Sequence, residues 1–200
     1  MLRAPECNLC EFGIYSPDSY GRGGGVPRRN MCSRLHDIAG LPSVQKIMLD
    51  TNQYDRLLAA PETYERLLRL LSDGKIELLT THIQRDEIMA VGDAGKKGRL
   101  QALLAHARLV GTRGFIWGKS RWSLFRYGNH EDHNLIEHIR GTAWDRKSED
   151  ALIAATAAKD ADMFVTDDKS LARRLNSYPG RRCEVIDFEE LKRRLADLTL

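Results

Sequence analysis

From residue 45 onward, short apolar runs alternate with amphipathic ones, and that alternation limits the possible folds more than any other feature of the chain. "KIML" (46–49), "KIELLTT" (75–81), "MFVT" (163–166) and "CEVIDF" (183–188) read as strands. Between and after them, "YERLLRLLSDGK", "THIQRDEIMAV", "GRLQALLAHARL", "EDHNLIEHI", "SEDALIAATAAKDA", "DKSLARRL" and "EELKRRLADL" read as helices. The first carries Tyr64, Leu67, Leu68 and Leu71 on one face and stops at Gly74. Thr81 and Gln84 have the spacing of a capping box, so a helix begins there. Leu100, Leu103, Leu104 and Ala107 share another face, while residues 111–130 are irregular and aromatic. Strands that alternate with helices pair in parallel through right-handed crossovers. The expected fold is therefore α/β, a three-layer α/β/α sandwich with a central, mainly parallel sheet, whose sites lie at the carboxyl ends of its strands.

Residues 1–44 differ from the rest. "SPDSYGRGGGVPRRN" has no periodicity and cannot bury enough apolar surface to offset the entropy of ordering, so the expectation is a disordered extension followed by one folded domain over 45–200. Cys7, Cys10, Cys32 and His36 make a four-ligand zinc site conceivable, but one Cys-x-x-Cys followed by a long glycine-rich gap favours the extension. With 42% apolar residues among 200, the chain can bury one substantial core. No apolar run approaches the roughly 18 residues of a membrane span, and "MLRAPECNLCEFG" lacks the apolar centre of a signal peptide. Four cysteines are too sparse for a disulfide scaffold. These observations predict a cytoplasmic chain without a membrane partner.

In "KIMLDTN" a run built for burial ends on Asp50, a position where a lone carboxylate is costly. Asp50 either caps the next helix or belongs to a cluster that needs its charge. Asp167 and Asp168 follow "MFVT" directly; Glu87 occupies a slot between Ile83 and Val91 on an apolar stripe; Asp150 shares a face with Ile153, Ala154 and Ala157. Asp50, Asp150 and either Asp167 or Asp168 could each be a simple cap or dipole partner. No cap explains Glu87. Acids from four segments are therefore expected to converge on one end of one sheet, where they would raise one another's pKa unless a cation sits among them. Carboxylates without nearby His or Cys favour Mg²⁺ or Mn²⁺, and such an ion suits phosphodiester hydrolysis. Asp145, Glu149 and Asp162 are read as solvated.

The blocks "IMLDTN", "TTHIQRDEI", "EDALIAATA" and "FVTDDKSL", in that order, resemble the PIN domain, a family of metal-dependent ribonucleases that includes the VapC-type toxins of toxin-antitoxin pairs. The resemblance runs over residues 47–188. It implies that Asp50, Glu87, Asp150 and Asp168 are the catalytic and metal-holding acids, with Asn52 and Thr166 orienting them and the water around the metal. Mg²⁺ or Mn²⁺ as cofactor, an α/β/α sandwich and often a homodimer are implied too, with an antitoxin protein as partner if the chain is a toxin. The N-terminal extension and the long stretch over residues 111–146 depart from the compact toxins. A receiver or haloacid-dehalogenase-like domain also puts Asp after a first strand, but lacks support here, because no second acid stands two residues past Asp50. The better rival is a non-catalytic PIN-like module that binds RNA or protein.

Charge bears on substrate. Between residues 93 and 126, eight basic side chains face a single acid, a local balance of +7. Phe115, Trp117, Trp122, Phe125 and Tyr127 are interleaved with the later ones. Cations that track a backbone beside rings that stack on bases suit single-stranded RNA, with Lys119, Arg121, Trp122 and Arg126 as the candidate contacts. The opposing reading makes the rings core or dimer contacts and the charges a solvated face. His106, His130, His133 and His138 are read as surface imidazoles.

Overall fold

The computed structural model of the chain describes residues 44–141 and 148–198, so the expectations for Cys7, Cys10, Cys32, His36, Asp145 and the extension lie outside the described residues. Five parallel strands form the central sheet: β1 (Gln45–Leu49), β2 (Ile76–Thr80), β3 (Arg108–Leu109), β6 (Met163–Val165) and β7 (Glu184–Ile186), in the order β3-β2-β1-β6-β7. The helices are α1 (Thr51–Ala59), α2 (Pro61–Ser72), α3 (His82–Met89), α4 (Ala94–Ala105), α5 (His130–Arg140), α6 (Ser148–Asp160), α7 (Lys169–Ser177) and α8 (Phe188–Asp197). Among the described residues no helix is long and apolar enough to cross a membrane.

Successive strand residues point to opposite faces, and the chain uses this to build two cores. Ile47 and Leu49 of β1 pack with Leu57, Leu67, Leu100 and Leu191 from α1, α2, α4 and α8. Met48, with Leu79 and Phe164 of the neighbouring strands, packs on the other side with Leu135, Leu152 and Leu171 from α5, α6 and α7. These faces are the outer layers of an α/β/α sandwich. Nine residues of α6 are buried, consistent with its run of alanines, which lets the helix approach the sheet closely.

Three local expectations change. In α2 the buried stripe is Thr63, Leu67 and Leu70, with Tyr64, Leu68 and Leu71 only half-buried at its flank, because Pro61 starts the helix and orients it between the sheet and α8. The helix read through residue 109 ends at Ala105; Arg108 and Leu109 leave it to pair with Leu79 and Thr80. Residues 111–130 are not wholly irregular. Two short parallel strands, β4 (Thr112–Arg113) and β5 (Phe125–Arg126), close them into a strap, and a tight turn at 116–120 is held by Ser120 N–H donating to the Ile116 carbonyl at 3.0 Å.

Close backbone approach fixes the strap to α5. Gly114 has φ +82°, and a Cβ there would lie 2.4 Å from Ile136 Cδ1; a Cβ on Gly128 would meet Asp132 Cβ at 2.9 Å. Gly114→Ala is expected to cost about 1–3 kcal/mol through the left-handed backbone and the overlap. Urea unfolding measures this directly, and an unchanged midpoint would show that the contact yields freely.

Candidate functional site

The strand order reverses direction at β1: the chain proceeds outward to β2 and β3, then returns to add β6 and β7 on the other side. Such a switch point opens a crevice at the carboxyl ends of the strands. Leu49 is in register with Val165, so Asp50 and Thr166 emerge side by side there. Backbone bonds fix both, with Asp50 N–H donating to the Val165 carbonyl (2.9 Å) and Thr166 N–H to the Ile186 carbonyl (3.0 Å).

Asp50 stands at the N-cap position of α1 yet makes no capping hydrogen bond. Its side chain is 5% exposed and accepts instead from the Thr166 hydroxyl at 2.8 Å. Burial pushes its carboxyl above the usual range, the Thr166 hydroxyl and the Thr51 N–H oppose that, and the charges of Asp168 and Asp167 add to the rise. The cap reading of Asp50 therefore fails, and the cluster reading gains its central member.

Helix α3 delivers Glu87. Its capping box forms as expected, and the Gln84 amide reaches on to donate to the Leu49 carbonyl, which ties the start of α3 to the end of β1. One turn later Glu87 lies half-buried and accepts from the Thr51 hydroxyl at 2.5 Å. Burial pushes its carboxyl up, the Thr51 hydroxyl pulls it down, and Glu149, Asp150 and Asp50 raise it further. Asp150 is half-buried in the first turn of α6 and is placed close enough to act on Glu87.

Of Asp167 and Asp168, either of which could have capped the next helix, it is Asp168 that does so. Asp168 caps α7, accepting from the N–H groups of Ser170 (2.7 Å) and Leu171 (3.0 Å), while its own N–H donates to the Thr166 hydroxyl (3.1 Å). Asp167 turns toward α1, where it pairs with Arg56 and accepts from Gln53 Nε2 at 3.1 Å and from Phe188 N–H at 3.3 Å. Burial alone would raise the Asp167 carboxyl, but Arg56, Gln53 and the Phe188 N–H together hold it below the usual range.

Among the four candidate acids, Asp150 and Asp50 raise Glu87 and Asp168 raises Asp50, while the Thr51 hydroxyl donates to Glu87 and the Thr166 hydroxyl to Asp50. Thr51 was missed. Asn52, chosen from the same motif, is exposed and points away, because the first helical residue faces α3 and the second faces solvent. Thr166, from the same expectation, donates its hydroxyl to Asp50. Glu149 is not merely solvated: it accepts from Lys119 Nζ at 2.8 Å. Asp162 is exposed, but its carboxylate accepts the Lys46 N–H at 2.7 Å.

Among the described residues, no three Asp, Glu, His or Cys side chains stand close enough to ligate one ion together. An all-oxygen donor set with Asp50 and Glu87 both held above the usual range nevertheless fits a hard cation that keeps most of its water and takes one or two direct carboxylates. It does not fit a dry, fully protein-built cage.

The strap's turn reaches α3 beside Glu87. His82, 2% exposed, holds its Nε2 3.3 Å from the Lys119 carbonyl, anchoring the strap's turn to α3. A 310 Å³ cleft opens between them, with Glu87, Glu149, Lys119 and Arg121 among its walls. Every cation proposed for RNA is engaged: Lys119 with Glu149 (2.8 Å), Arg121 with Asp86 (2.8 Å) and Arg126 with Asp160 (3.1 Å). The +7 seen along the sequence is therefore largely offset in space by acids from other elements. Trp122 is 72% exposed, which rules out the core reading for this ring. Compared with known proteins, the chain matches no family model, no curated protein and no solved structure.

Proposed function

We propose that this chain is a PIN-like, Mg²⁺- or Mn²⁺-dependent endoribonuclease that hydrolyses phosphodiester bonds in single-stranded RNA. One observation carries the reading: Asp50 and Glu87 lie at the switch point of a parallel sheet with no ion pair among the described residues, each bonded only to threonine hydroxyls or backbone and each raised first by burial and then by acidic neighbours. Like charges held in this way are retained where a function needs them. Asp50 and Glu87 would hold the ion directly, with Asp150 and the second oxygen of Asp168 reaching it through water. When bound, the ion would activate water and stabilise the charge that develops on the phosphodiester.

The chain's own groups do the rest. Thr51 and Thr166 hold the carboxylates in place by donating to them, which favours the ionised form and opposes the effect of burial. Lys119 and Arg121, at the cleft wall, can exchange their carboxylate partners for substrate phosphates, since exposed pairs of this type are worth only about 0–1 kcal/mol. A toxin held by an antitoxin protein and an RNA-processing enzyme share this chemistry, as would a homodimer of either.

The test is incubation of the purified chain with cellular RNA, with Mn²⁺ and with excess chelator. Cleavage that needs the metal supports the proposal; none under either condition removes it. Thr51→Val should lower activity by about 10- to 100-fold without unfolding the protein, whereas Asn52→Ala should leave it nearly unchanged. The reverse ranking would mean that Asn52, not Thr51, serves the acids. A second reading has its own support: Asp168 spends one oxygen on capping α7, and among the described residues no trio of acids converges, which suits a PIN-like module that binds RNA or protein without cutting.

A further inference from the structure

Four of the six exposed large apolar side chains among the described residues lie on the strap: Phe115, Trp117 (84% exposed), Trp122 (72%) and Tyr127 (88%). Phe115, Trp122 and Tyr127 line a 330 Å³ cavity that none of the candidate acids lines. Its walls are Phe115, Trp122, Phe125 and Tyr127, its floor is Gly114, Gly128 and Ile136, and its polar edge is Asn129 and His133. We propose that this cavity receives one unstacked nucleobase of a single-stranded nucleic acid, its face against the exposed rings and its edge toward Asn129 and His133. The inference rests on the nuclease reading only in naming RNA as that strand.

Shape and rigidity support a planar ligand. The rings brace one another, with Phe115 5.5 Å from Trp122, 5.1 Å from Phe125 and 6.0 Å from Trp117, and Phe125 5.1 Å from Tyr127, at tilts of 38–75° that leave outer faces open. The volume is at the small end for ligand sites, about 300–1,000 Å³, which suits one base rather than a peptide. Gly114 and Gly128 let the strap's backbone lie close against α5 at the floor of the cavity.

Polarity supports a base over a purely apolar group. Asn129 Oδ1 accepts the Asp132 N–H at 3.0 Å as the cap of α5, which leaves its amide N–H groups to donate, and His133 adds an imidazole that can donate or accept. Arg113 and Arg126, next in sequence to the lining residues Gly114 and Phe125, both bind the single carboxylate of Asp160 (2.6 and 3.1 Å). The same strap carries Lys119 and Arg121 to the wall of the cleft beside Glu87. A duplex keeps its bases stacked and cannot present one here.

The experiment uses the full-length Asp50→Asn protein in excess chelator, so that binding is read without cleavage. Two of the chain's three tryptophans, Trp117 and Trp122, sit on the strap, and their fluorescence reports occupancy. The probes are a single-stranded hexaribonucleotide, the same sequence as a duplex, and a nucleoside monophosphate. The hexamer should quench the fluorescence, the duplex should not, and the monophosphate should bind more weakly than the hexamer. Trp122→Ala or Tyr127→Ala, each with an unchanged circular dichroism spectrum, should weaken hexamer binding by about 5- to 150-fold. Absence of quenching by any probe overturns the proposal even if the wild-type chain cuts RNA. Binding in a chain that never cuts keeps the cavity and rejects the nuclease reading. A monophosphate that binds as tightly as the hexamer overturns the strand as the ligand. Self-association that Trp122→Ala abolishes, with hexamer affinity unchanged, overturns the base site in favour of a face between two copies.

Discussion

Asp50→Asn is expected to reduce RNA cleavage by at least about 10²–10³-fold, the scale on which a single electrostatic contact to a transition state acts, and at the same time to raise the melting temperature of the metal-free protein. The two effects share a cause. Asp50 is 5% exposed, and burial, followed by the charges of Asp168 and Asp167, pushes its carboxyl up faster than Thr166 and the Thr51 N–H hold it down. A carboxyl raised on folding costs nothing below its unfolded pKa of about 3.9, costs progressively more as pH climbs to the raised folded value, and carries a constant penalty above it. The gain in melting temperature of Asp50→Asn over wild type should therefore be full at neutral pH and shrink toward zero near pH 4. Asp167 runs the other way: its lowered carboxyl contributes stability above about pH 3.9 that is lost as pH falls through its folded value, and Arg56→Ala should remove most of that contribution. Calorimetry across pH 4–8 beside a nuclease assay reads all of this. Undiminished cleavage by the Asn variant would sink the proposed chemistry, and a lower melting temperature at pH 7 would show that the charge is stabilised rather than tolerated.

The layers were legible because each rests on a period. Alternating apolar residues put Ile47 and Leu49 on one face and Met48 on the other, and the Thr81–Gln84 spacing formed the cap it implied. Asp50 and Glu87 were legible for a different reason: each breaks the apolar pattern at a place where a charge is expensive. What stayed hidden was three-dimensional. Thr51 and Asn52 are adjacent in one motif, and only the angle at which α1 leaves β1 decides which faces Glu87. Asp167 and Asp168 are equally adjacent, and the position of Arg56 on α1 settles which becomes the cap. The basic stretch looked unbalanced only because its acids, Asp86, Glu149 and Asp160, come from α3 and α6.

Mn²⁺ at a hundredfold excess over its Kd should stabilise the wild-type protein by about 2.7 kcal/mol, a rise in melting temperature of roughly 5–10 °C for a chain of this size. The stabilisation follows from which charges lack a counterion. Glu149 has Lys119, Asp86 has Arg121 and Asp167 has Arg56, whereas Asp50 and Glu87 form no ion pair among the described residues and each sits above its usual pKa. On the proposed reading a divalent ion would relieve two raised carboxylates at once and would therefore bind the folded chain in preference to the unfolded one. Asp50→Asn and Glu87→Gln should each lose most of the rise, and Lys119→Ala should keep it, because Lys119 serves Glu149 at the wall of the cleft. Sodium chloride at matched ionic strength controls for screening, which weakens all exposed charge interactions together. An equal rise in wild type, Asp50→Asn and Glu87→Gln would place the ion elsewhere, and one reproduced by sodium chloride would reduce it to screening; either outcome overturns Asp50 and Glu87 as the acids that hold it.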